Sequence, residues 1–69
     1  MVKAPKIERL GAGHYRAGAY YVFHLARDHW SVYREVDQSG NSVPIDNFLS
    51  YRAARDCALD CALHEATND

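Results

Sequence analysis

The stretch Tyr20 to Val36, YYVFHLARDHWSVYREV, constrains this chain more than any other. Two runs rich in aromatic and β-branched residues flank a polar break at Asp28-His29, the pattern of a β-hairpin. A two-residue loop there sets Arg27 opposite Trp30, Leu25 opposite Val32, Phe23 opposite Arg34 and Tyr21 opposite Val36. Side chains alternate with period two, so Tyr21, Phe23, Leu25, Trp30, Val32 and Val36 then share the expected core face. Tyr20, Val22, His24, Ala26, Ser31, Tyr33 and Glu35 share the other face. It is half aromatic and half polar, and is expected to lie open to solvent or to a partner.

Around this hairpin the remaining chain reads as short elements. Residues 1–5 form a loose start. Lys6 to Leu10 alternates polar and apolar residues and reads as a short edge strand, broken by Gly11 and Gly13. Gly11-Ala12-Gly13 lacks the lysine, spacing and following helix of a phosphate-binding loop. His14 to Ala17 resumes the strand before a break at Gly18. Asp37 to Asn41 carries the turn formers of a loop. Ser42 to Ile45 forms a further strand, and Pro44, with no amide hydrogen to donate, assigns it to a sheet edge. Beyond Asp46 the period becomes helical, with Ser50 as the expected N-cap and fraying after about Ala66. The expected fold class is α+β: one domain over residues 1–69, with an antiparallel sheet of three to four strands (about 6–45) packed on one C-terminal helix (about 50–66). On the helical wheel Ala54, Cys57, Ala58 and Cys61 form a narrow small-residue face suited to close packing on the sheet. Leu59 and Leu63 point away from it, one turn apart, and are expected to serve a homodimer or second partner contact.

The chain has 69 residues and a formal net charge of −1, so nothing in the total demands an anionic partner. At 48% hydrophobic and 25% charged it is too apolar for disorder. The charge is unevenly spread. Residues 1–34 hold six basic against two acidic side chains, and residues 35–69 hold two basic against seven acidic. The sheet half is basic and the helix half acidic, an asymmetry that can steer a partner to one side. The first ten residues have no apolar core of an export signal, and no apolar run reaches the ~20 residues of a membrane span. Cytoplasmic localisation with two reduced cysteines is the expectation.

Chemistry-bearing residues do not assemble into a catalytic or metal motif. Cys57, Cys61 and His64 share a helix face, and His14, His24 or His29 would have to complete a zinc site. The spacing matches no zinc pattern, and the cysteines read instead as small buried hydrophobes. A Cys57–Cys61 disulfide is disfavoured because a helix points the two Cβ atoms in parallel directions. No serine–histidine–acid set or carboxylate pair stands out, and no cofactor motif is present. The expectation is a protein that is not an enzyme and holds neither metal nor cofactor. Arg16, Tyr20, His24, Arg27 and Tyr33 are its expected partner-binding residues, because aromatics beside cations serve both stacking on nucleic acid and protein hot spots.

Tyr15-Arg16, Trp30-x-Val32-x-Arg34 and Phe48-x-Ser50-x-x-x-Ala54, set on a sheet followed by one helix, resemble the three-stranded DNA-binding domains of phage integrase arms and plant ethylene-response factors. The resemblance spans about residues 15–58. It implies strands entering the major groove, with Arg16, Trp30 and Arg34 on DNA. In size and type the chain also resembles small phage-encoded inhibitors of host defence, including anti-CRISPR proteins. The expected function is a small non-catalytic inhibitor or adaptor acting on a protein or nucleoprotein complex. Sequence-specific DNA binding through the sheet is the alternative.

Overall fold

A computed structural model of the chain describes residues 5–37 and 39–67. Residues 1–4 of the expected loose start, Gln38 of the expected loop and the last two residues of the expected fraying end lie outside the described residues. The order of elements is β1 (Glu8–Gly11), β2 (His14–Ala17), β3 (Tyr20–Ala26), β4 (His29–Glu35), β5 (Ser42–Phe48) and α1 (Tyr51–Thr67). The strands pair antiparallel in chain order as a five-stranded meander. The α+β class is as expected, but five strands replace the three or four anticipated. The glycine turn separates β1 from β2 completely, and β5 runs on through Phe48 rather than ending near Ile45.

Local signals explain the ends of these elements. Ser50 caps α1: its hydroxyl accepts from the Ala53 amide at 3.3 Å, and its carbonyl receives the Ala54 amide at 3.2 Å. Pro44 lies on β5, a sheet edge, where a missing donor costs no ladder bond. Gly18 has φ +61°, and a Cβ there would stand 3.5 Å from the Ala62 Cβ. The helix therefore passes directly over the β2–β3 turn.

The hairpin register departs from expectation. Its turn is Arg27-Asp28, with Ala26 paired to His29, and one residue later the ladder slips: His24 pairs with Trp30, Val22 with Val32 and Tyr20 with Arg34. Leu25 is the extra residue of a bulge. Among the described residues no non-glycine has a positive φ, so this turn is not of the mirror-image kind that suits two-residue hairpins. The bulge takes up the mismatch. One inserted residue reverses the faces of β3 relative to β4.

The core face is consequently built from Ala17, Tyr20, Val22 and Val32 beneath Ala54, Ala58 and Ala62 of the helix. Val22, Val32, Ala54 and Ala58 are all 0% exposed. The small helix face is as the wheel implied, but it rests on two valines rather than on Tyr21 and Phe23, which lie on the opposite face. Leu25 is exposed at the bulge, and Val36 is exposed just beyond β4. Trp30 is half-buried at the border, stacked on His24 with ring centres 4.0 Å apart and packed near Tyr51 of the helix at 5.3 Å.

Candidate functional site

Reversing β3 divides the expected binding residues between the two sides of the sheet. Arg16 and Tyr33 remain on the open side. Tyr20 turns to the helix and is buried, and its hydroxyl donates to Glu65 Oε2 at 2.7 Å. His24 also turns to the helix side, against Trp30. Arg27 occupies the hairpin turn, about 20 Å along the strand from the Arg16–Tyr21 pair at ~3.3 Å per residue. Five residues expected to act together therefore do not form one surface. The DNA contacts implied by the resemblance divide likewise. Arg34 is held on the helix side by Glu65, through Nε at 3.2 Å and a terminal nitrogen at 2.5 Å, while Arg16 faces the other way.

The Tyr20–Arg34–Glu65 cluster pins the last turns of α1 to the sheet. The Arg34 guanidinium, helped by the Tyr20 hydroxyl, holds the Glu65 carboxyl below its usual range. Burial, followed by the bond to Glu65, pushes the Tyr20 phenol up. A depressed carboxyl contributes stability above its unfolded value of about 4.3, and that contribution disappears as pH falls through the folded value. Glu65→Gln should therefore lower the melting temperature at pH 7. It should also flatten the further loss that the parent shows from about pH 4.3 downward, as measured by circular dichroism melts across the acid range. An identical acid limb in variant and parent would contradict this role.

What the open side does assemble is an aromatic cluster that joins Tyr33, expected there, to Tyr21 and Phe23, which the unbulged register assigns to the core. In ladder order, Glu8, Arg16, Tyr21, Tyr33 and Pro44 form one row, and His14, Phe23, Ser31 and Asn47 the next. Phe23 sits at the centre, edge-on to His14 at 5.0 Å and to Tyr33 at 5.6 Å, with Tyr21 stacked at 6.1 Å. The Arg16 guanidinium lies 5.7 Å from the Tyr21 ring centre. The Tyr21 hydroxyl donates to Glu35 Oε2 at 2.9 Å, and this bond raises the Tyr21 phenol above its ordinary value. No described element packs on this side, since α1 covers only the other one. Tyr21, Phe23 and Tyr33 nonetheless retain only partial exposure, because each ring shields its neighbours.

Beside the cluster lies a cleft of about 230 Å³, bounded by Tyr21, Phe23, Tyr33, Glu35, the loop residues Gly40 and Asn41, and Ser42 at the start of β5. The loop is braced from within. Asp37 accepts from the Ser39 and Asn41 amides at 2.9 and 3.3 Å and from Asn41 Nδ2 at 2.8 Å, which together depress its carboxyl. The Val36 amide closes the loop onto the Asn41 carbonyl at 3.0 Å.

Ser31 Oγ donates to Asn47 Oδ1 at 2.5 Å, and His29 Nε2 lies 3.0 Å from the same oxygen. With Asn47 Oδ1 accepting from both, His29 presents Nε2–H here and offers Ser31 no base. Cys57 and Cys61, on α1, are free and half-buried against the core, and burial, then its neighbour Cys61, pushes the Cys57 thiol up to about 11. Such a thiol is poorly nucleophilic at neutral pH. Among the described residues no three His, Cys, Asp or Glu side chains converge as metal ligands, and no helix is long and apolar enough to cross a membrane. Leu59 packs partly on the core while Leu63 is 44% exposed, and both line a shallow groove with Pro5, Asp56 and Asp60. Comparison with known proteins adds no identity: no family model, no curated protein and no solved structure matches the chain.

Proposed function

We propose that this protein is a small non-catalytic inhibitor or adaptor, of the type phages direct against host defence. In this reading it engages a protein or nucleoprotein complex through the open side of its sheet. The observation that carries this reading is the Tyr21–Phe23–Tyr33 cluster on the face the helix leaves uncovered. Tyrosine, phenylalanine and arginine are enriched at protein interfaces, and rings already braced by neighbours lose little side-chain freedom on binding. The alternative, sequence-specific DNA binding by the same sheet, finds less support. On the described strands of this face only Arg16 is a cation, against Glu8 and Glu35, whereas affinity for DNA rests on neutralising several phosphates. The test is the double variant Phe23→Ala with Tyr33→Ala, first checked for an intact melt. A partner captured and identified with the parent chain should bind this variant more than tenfold more weakly, since each hot-spot truncation typically costs about 2 kcal/mol. Parent-like affinity would overturn the reading. Binding of duplex DNA that weakens steeply with salt would move the assignment to the alternative.

A further inference from the structure

We propose that the cleft beside the aromatic cluster receives a cationic side chain of the partner protein, an arginine in preference to a lysine. This rests on the open face being the binding face and names the chemistry it recognises. The cleft's ring walls are Tyr21, Phe23 and Tyr33, and its one charged wall is Glu35. A carboxylate beside aromatic faces attracts a cation twice, through its charge and through the ring quadrupoles. The Glu35 carboxylate spends Oε2 on the Tyr21 hydroxyl, and its other oxygen remains on the same side chain to meet a guanidinium. The same face already shows the preference internally, because the chain's own Arg16 lies over Tyr21. That contact occupies Tyr21 and leaves Phe23 and Tyr33 as the rings for an incoming group. At about 230 Å³ the cleft falls below the ~300–1,000 Å³ usual for small-molecule sites and suits one long side chain. Asn41 on the rim of the cleft is held by Asp37, which sets a second carboxylate close to that rim. Arginine is favoured over lysine because its planar guanidinium stacks on rings while donating to a carboxylate.

The experiment titrates the full chain with N-acetylarginine methylamide and, separately, with the uncharged N-acetylnorleucine methylamide, followed by amide and ring NMR shifts. Saturable shifts at Gly40 to Ser42, Phe23 and Tyr33 are expected with the arginine probe alone. Glu35→Gln, which keeps an acceptor for the Tyr21 hydroxyl, should weaken the response by about threefold to fivefold. The proposal is overturned if the arginine probe gives no saturable shift, if the norleucine probe matches it, or if Glu35→Gln leaves it unchanged. Sedimentation of the parent at the same concentrations adds a further check. A mass that doubles, and is halved again by Arg16→Ala, would mean that a second copy's Arg16 fills the cleft, and this too overturns assignment to a separate partner. Should Phe23→Ala with Tyr33→Ala abolish partner binding while Glu35→Gln binds normally, the binding face stands and the cationic anchor falls.

Discussion

Val22→Asp is expected to abolish the cooperative thermal transition of this protein, whereas Phe23→Asp, one residue along the same strand, is expected to keep it. Val22 is 0% exposed, pairs with Val32 and lies under the helix alanines. A carboxyl group there finds no partner in an apolar layer. Whether it stays ionised or takes up a proton, the cost is several kcal/mol. A chain of this size rarely holds more than about 3–5 kcal/mol in reserve. Phe23 stands on the other face, where a carboxylate reaches water. Its replacement forfeits the edge contacts to His14 and Tyr33, at about 0.5–1.5 kcal/mol each. Circular dichroism melts of the two variants decide the matter. An unbulged hairpin closing at Asp28-His29 demands the reverse outcome, so a folded Val22→Asp beside an unfolded Phe23→Asp would refute the register.

The second large effect is expected at the helix. Ala58→Leu should destabilise by about 1–3 kcal/mol or more, although leucine is a good helix former and more apolar than alanine. Ala58 is 0% exposed in a layer whose largest fully buried side chains are Val22 and Val32. The helix approaches closely enough that a Cβ on Gly18 would touch Ala62 at 3.5 Å. The added branch therefore has no void to enter, and it must lift the helix or force strained rotamers. Arg52→Leu, on an exposed position of the first helical turn, serves as the control that adds a leucine to the same helix without the crowding, at almost no change in helix propensity. Urea denaturation should show a lowered midpoint for Ala58→Leu alone. A midpoint equal to or above the parent's would mean that the layer between helix and sheet is looser than described.

Much of this architecture is carried by short-range chemistry and was legible from the residues alone. A hydroxyl at Ser50 caps the helix, Pro44 goes to an edge, Asp37 to Asn41 closes a loop, and a run of small residues marks the helix face that packs. Each depends on neighbours a few positions away, so the chain spells it out locally. The parity of β3 is different in kind. Its residues, YYVFHLA, offer apolar or aromatic side chains to both faces, so alternation carries no instruction about which face is inside. That choice was made by fit: directly beneath Ala54 and Ala58 the sheet presents Val22 and Val32, while the rings on the helix side lie toward the helix ends, Tyr20 against Glu65 and Trp30 against Tyr51. The bulge at Leu25 brings Val22 opposite Val32 and moves Tyr21 and Phe23 outward. The sequence by itself determined the elements, their order and the helix face. Only tertiary packing decided which aromatic residues are core and which are surface, because a single bulged residue exchanges them and its position is set by the fit between helix and sheet.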